Sequence, residues 1–164
     1  MFSLFKQNKD EYVTGEIRAT QDGIAVPLSD VPDPVISGGI LGEGIAILPD
    51  NGKLVSPVDG VVTVVAKTGH AFCLQTTDGV EILVHIGVDS VKLGGQGLQM
   101  HVKEGQSVSI GTHICDVDLT VLAENNILPH TATLVVNHAD VNNLTMTFGD
   151  VSAGKSAVMR YELM

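Results

Sequence analysis

Only two cysteines, Cys73 and Cys115, occur in 164 residues, so at most one disulfide is available and a cystine-stapled scaffold is excluded. No basic segment leading into an apolar run opens the chain. No apolar stretch approaches the roughly 20 residues that span a bilayer, since even 38–49 is broken by Glu43 and by glycines. A soluble, cytoplasmic protein is expected. Charge is scarce, 17% of residues against about 25% in an average domain. Basic residues are scarcest: nine Lys and Arg face nineteen Asp and Glu, for a net charge of −10. Such a surface repels phosphate backbones and anionic lipid, which sets nucleic acid aside and favours a basic protein partner.

What the chain does contain is apolar residues, 44%, enough for one sizeable core, and 18 glycines, which imply many turns. Residues 1–12 read as a flexible tail in which Phe2, Leu4 and Phe5 beside Lys6 and Lys9 offer at most a weak membrane contact. Residues 13–164 read as a single domain. Within it, β-branched residues cluster at 44–48, 60–66, 80–86, 131–137 and 156–162, bounded by Gly, Pro, Asp and Asn, which is a strand-and-turn pattern. The one helical window is 119–126. The fold class is all-β: an antiparallel β-sandwich or barrel with short helices at most. The turn-plus-strand segments 56–62 and 104–111 share the barrel-sandwich grammar of biotinyl and lipoyl carrier domains.

Two strand-like runs, 70–75 and 80–86, are joined by Thr76-Thr77-Asp78-Gly79, a hairpin signal. A loop centred on Thr77 and Asp78 sets His70 opposite His85. A loop centred on Asp78 and Gly79 sets His85 opposite Phe72, with His70 on the diagonal. Either register places both imidazoles on one face, with Cβ atoms about 4.5–5.5 Å apart directly opposite or roughly 7–8 Å apart on the diagonal. A three-residue loop would reverse this parity. Alternation assigns Ile82, Val84 and Ile86 to the core and Glu81, Leu83 and His85 to the outward face, beside His70, Phe72 and Leu74. Cys73 then falls on the opposite face, as a small buried hydrophobe.

Two adjacent imidazoles suit two chemistries. One ring can act as a nucleophile near neutral pH while the other donates to the oxygens of a transferring phosphoryl group. Alternatively, His70 and His85 together with Asp89 make most of a zinc site. His101, His113, His130 and His138 show no partner pattern and read as surface or structural.

The runs Thr68-Gly69-His70-Ala71-Phe72, Leu83 through Val91 and Lys103 through Val108 resemble the glucose-type IIA component of the phosphoenolpyruvate-dependent sugar phosphotransferase system. Val31-Pro32-Asp33, Gly42 through Ala46 and Ser56 through Gly60 follow the same pattern, and the resemblance covers nearly all of 14–162. It implies a β-sandwich phosphocarrier without cofactor or metal. In that reading His85 accepts a phosphoryl group from the phosphohistidine of the small carrier HPr and passes it to a cysteine of the IIB domain of a sugar permease. His70 stabilises the group, and Thr68 orients the His70 ring. Asp33 and Asp89 flank the site and meet a donor arginine. Val35, Ile36, Ile40, Leu41, Leu83 and Val91 form the apolar docking rim, to which Phe72 is added from its outward placement. Some relatives also regulate other proteins in the unphosphorylated form. The chain departs from the family in having aliphatic Leu83, Ile86 and Ile36 where aromatics are common. With no membrane domain and no obvious linker, it is expected to be a free-standing component that meets membrane through the permease.

Two other classes compete. A LytM-like zinc hydrolase would use His70, His85 and Asp89, and His85-x-x-x-Asp89 has its spacing, but its His-x-His signature is missing. A biotinyl or lipoyl carrier needs a lysine at a hairpin tip in a defined setting, which Lys53, Lys67, Lys92, Lys103 and Lys155 all lack.

Overall fold

The computed structural model describes residues 15–163, so the tail expected at 1–12 lies outside the described residues. The β-branched runs become strands: β3 (Glu43–Pro49), β5 (Gly60–Val65), β7 (Glu81–Ile86), β11 (Thr131–Val135) and β14 (Ala157–Leu163), with β6 (Ala71–Thr76) preceding β7. Shorter strands complete the set: β1 (Glu16–Arg18), β2 (Gly23–Pro27), β4 (Lys53–Val55), β8 (Leu98–Met100), β9 (Ser107–Val108), β10 (His113–Val117), β12 (Val141–Met146) and β13 (Gly149–Val151). The helical window yields α2 (Leu119–Glu124), started by Asp118, whose carboxylate accepts from the backbone N–H groups of Thr120 and Val121. A one-turn helix, α1 (Pro34–Ser37), was not legible in the sequence.

These strands form an antiparallel β-sandwich. An eight-stranded sheet runs β13-β2-β3-β11-β7-β6-β5-β9, and two three-stranded sheets run β1-β14-β12 and β4-β10-β8. One buried apolar cluster draws on all three: Phe72, Ile82, Val84 and Ile86 from the large sheet, Ile17 and Met159 from one small sheet, Leu54 and Ile114 from the other. Each such side chain contributes roughly 1.5–3 kcal/mol by leaving water. The opposite face of the large sheet carries a smaller cluster, in which Val31 and Ile36 cover Ala46, Ala132 and Leu134. Strand β11 is therefore buried at every residue, sealed on both faces.

The β6–β7 register differs from both sequence-based alternatives. Pairing runs from Gln75↔Glu81 to Ala71↔His85, and Thr77, Asp78 and Gly79 form a three-residue loop. The reason is local chemistry. The Thr76 hydroxyl donates to the Asp78 carboxylate and accepts from Val80 N–H, and Gly79 takes a φ of +91°, which favours glycine. Parity is reversed accordingly. Phe72 and Leu74 point into the core at 0% exposure, and Cys73, expected there, is half-buried on the outward face with Leu83 and His85. Ile82, Val84 and Ile86 face inward as expected, all at 0% exposure.

Candidate phosphohistidine site

His85 projects from β7, with two strands of the large sheet to one side of it and three to the other beyond its immediate partners. Its cross-strand neighbours are Ala71 and Ala132, so methyl groups flank the imidazole on both sides. Its Nδ1 lies 3.1 Å from the Gly87 carbonyl oxygen. A carbonyl only accepts, so Nδ1 carries the proton and Nε2 keeps its lone pair. Gly87 can present that oxygen because its φ is +76°, and a Cβ there would meet the Ser90 side chain at 3.1 Å. The turn is pinned from both ends: Gly87 N–H donates to His130 O at 2.8 Å, Val88 N–H to Leu128 O at 3.0 Å, and the Ser90 hydroxyl to Ile86 O.

His70 reaches the same face by a different route. It precedes the regular β6 ladder and follows Gly69, whose φ of +72° closes a turn in which Gly69 N–H donates to Ala66 O. Strand alternation therefore does not govern its direction, and the two rings meet although the register places Phe72 inside. Their centroids are 5.5 Å apart at 78°, edge to face. Thr68 Oγ1 stands 2.5 Å from His70 Nδ1. When the hydroxyl donates, the His70 proton sits on Nε2, available to an anion.

Burial holds the His85 imidazole below its ordinary 6.5, and the neighbouring His70 lowers it further; the Gly87 carbonyl, Asp33 and Asp89 act in the opposite sense. Burial also lowers His70. Both rings are thus neutral near pH 7, the state a nitrogen nucleophile requires. The thiols stay protonated: burial raises Cys73, and Cys115 is pushed up to about 12 by burial first and Asp116 second.

The residues expected around the pair divide into two groups. Asp33 caps α1 by accepting from Val35 N–H at 3.0 Å. Asp89 takes a left-handed backbone with φ 59°, and its exposed carboxylate lies 3.7 Å from Lys92 Nζ. Val35, Ile40 and Val91 are exposed at 47%, 76% and 54%, and Leu41 and Leu83 are half-buried. Ile36 and Phe72 do not belong to that surface. Ile36 is 3% exposed because α1 turns it down onto Ala132 and Leu134, and Phe72 lies inside because of the hairpin loop. The zinc triad His70–His85–Asp89 is not assembled, Asp89 being turned to Lys92. Among the described residues, the group of three potential ligands whose donor atoms lie within 4.8 Å of one another is His101, His113 and Asp116. That constellation was missed in the sequence. His113 and Asp116 are an odd number of residues apart, and only a register irregularity between His113 and Cys115 brings them to one side.

An antiparallel β-sandwich presenting two neutral imidazoles, each with Nδ1 held by a hydrogen bond, has an arrangement suited to a phosphotransfer component. The model of the phosphoenolpyruvate-dependent sugar phosphotransferase system EIIA 1 family matches residues 15–141, and the chain belongs to that family. It is 37% identical over 156 residues to the PTS system glucose-specific EIIA component of Haemophilus influenzae, covering 95% of this chain and 94% of that one. It is 44% identical over 125 residues to the PTS system glucose-specific EIIBCA component of Corynebacterium glutamicum, covering 76% of this chain and 18% of that longer one. The glucose permease IIA from Mycoplasma capricolum superposes with a TM-score of 0.80 at 33% identity, over 88% of this chain and 93% of that one. Among the described residues no helix is long and apolar enough to cross a membrane.

Proposed function

We propose that this EIIA component is a phosphohistidine relay in which His85 Nε2 receives a phosphoryl group from the phosphohistidine of HPr and hands it to a cysteine of the IIB part of a sugar permease. The observation that carries the reading is the pair of imidazoles 5.5 Å apart, one with Nδ1 bonded to a carbonyl and the other with Nδ1 bonded to a hydroxyl. The relatives add support. Full-length matches bear the name glucose-specific EIIA, and in C. glutamicum a homologous segment forms part of an EIIBCA chain, consistent with an acceptor close at hand.

The Nε2 lone pair of His85 attacks phosphorus in line as the donor nitrogen–phosphorus bond breaks. Positive charge develops on the His85 ring, and the Gly87 carbonyl on Nδ1–H stabilises it. His70 Nε2–H donates to the phosphoryl oxygens, where negative charge is spread. Both partners already offer good nucleophiles and leaving groups, so the chain's contribution is position and a dry, preorganised pair of dipoles. Val35, Ile40, Leu41, Leu83 and Val91 form the docking rim, and Asp33 and Asp89 receive a donor arginine by charge-assisted bonds.

The test is incubation with phosphoenolpyruvate, enzyme I and HPr. An acid-labile, base-stable phosphate on His85, abolished by His85→Ala, is expected. Phosphate on another residue, or none, overturns the assignment.

A further inference from the structure

Away from the phosphohistidine face, two histidines converge on one carboxylate on the β4-β10-β8 sheet. His101 Nε2 lies 2.7 Å from Asp116 Oδ2, and His113 Nε2 lies 2.8 Å from Asp116 Oδ1. The rings sit 4.6 Å apart, centroid to centroid. Their assembly is built into the backbone. Asp116 pairs with Gln99 across the β8–β10 ladder, and His101, two residues beyond Gln99, falls on the same face. The β4–β10 register irregularity between His113 and Cys115 then turns His113 onto that face as well, while Cys115 remains in the core.

We propose that His101, His113 and Asp116 form a binding site for a borderline divalent transition-metal ion of the zinc, nickel and copper class. Two imidazoles and one carboxylate are the donor set such ions select, and hard ions such as magnesium or calcium demand more oxygen. The donor atoms already lie within 4.8 Å of one another. Zinc held at about 2.0–2.1 Å by each in tetrahedral geometry needs neighbouring donors roughly 3.3 Å apart, so the two nitrogen–oxygen contacts lengthen by about half an ångström through side-chain rotation. On binding, the ion takes the place of the hydrogens shared between the two Nε2 atoms and Asp116; each coordinated ring is then the neutral tautomer with its single proton on Nδ1, and any proton in excess passes to solvent. The hydrogen bond from His101, then that from His113, holds the Asp116 carboxyl below the usual range, so it is an anion at neutral pH.

Three protein donors leave a coordination position open. The side chains of His101, His113 and Asp116 keep 34%, 39% and 50% of their surface exposed, and Asp116 also lines an open cleft of about 550 Å³ with Gln99, Val117 and Asp118. Water or a donor atom from another molecule can complete the sphere there. Asp118 lies outside the group of three, with its Oδ1 engaged as the cap of α2.

The experiment titrates metal-free full-length protein with zinc chloride, by calorimetry and by NMR of the imidazole resonances. The background is His70→Ala/His85→Ala, so that the other histidine pair contributes nothing. One equivalent of zinc is expected, perturbing His101 and His113 first. Each of His101→Ala, His113→Ala and Asp116→Ala should weaken binding by more than about 10-fold, the lower end of what loss of a mere second-shell partner produces. All three positions are partly exposed, so circular dichroism should show an unchanged fold. Absence of zinc binding on that background, or affinity that survives His113→Ala, overturns the site.

Discussion

Asp33 and Asp89 pose a physical problem, since a carboxylate beside a phosphoryl group repels it. Both carboxylates act on His85 more weakly than burial does, as befits groups on the margin of the site. Asn serves as well as Asp at a helix N-cap and tolerates the left-handed backbone of position 89, so Asp33→Asn and Asp89→Asn remove charge without removing structure. Transfer from HPr should slow while the melting temperature stays unchanged, and stopped-flow phosphorylation checks this. His70→Gln keeps a donor near the phosphoryl group but loses the Thr68-oriented ring. Acceptance from HPr should persist and delivery to IIB should fail, as two separate half-reaction assays would show. Protonation offers a third test. Because burial lowers both imidazoles relative to the unfolded value near 6.5, the unfolded chain takes up protons first on acidification, and stability falls as pH drops through that window. In an NMR titration the His85 ring should have its midpoint below 6.5, and phosphoryl acceptance should hold down to that midpoint.

At the scale of elements, the short segment around α1 works as a clip on the outer face of the large sheet. Ile36 is its anchor, and Ile40 is its exposed apolar tip. Ile36→Ala should lower stability by about 2–5 kcal/mol, read from urea denaturation, because it empties a packed site. Ile40→Asp should leave stability nearly unchanged and weaken HPr binding, measured by calorimetry. Strands β3, β5, β6, β7, β9, β11 and β14, the alternation in β7 and the residues of the histidine pair were readable in the chain, because β-branched runs and turn residues act locally. What was not readable turned on single residues. One extra loop position, set by Thr76, Asp78 and Gly79, moved Phe72 inside and Cys73 outside, and a positive φ at Gly69 restored His70 to the His85 face. The Asp116 cluster depended on a strand irregularity that no spacing rule contains. Burial of Ile36 likewise comes from a single helical turn, too short to leave a periodic pattern.

For the whole molecule, the net charge of −10 sets the kinetics of encounter more than the affinity. Association with a basic donor should slow steeply as ionic strength rises from about 0.01 to 0.1 M, over which the screening length shrinks from roughly 30 to 10 Å, with dissociation little altered. Surface plasmon resonance at several salt concentrations separates the two. His85 rises from an interior strand between two alanines, one of which, Ala132, is covered by Val31 and Ile36 from α1 and its flank, so two partners that both reach its Nε2 would use the same face. On the relay proposed above, supplier and recipient would then visit in turn and exclude each other. Spent donor lingering at that doorway would act as a competitive brake on delivery, and sugar uptake would respond to how quickly it leaves.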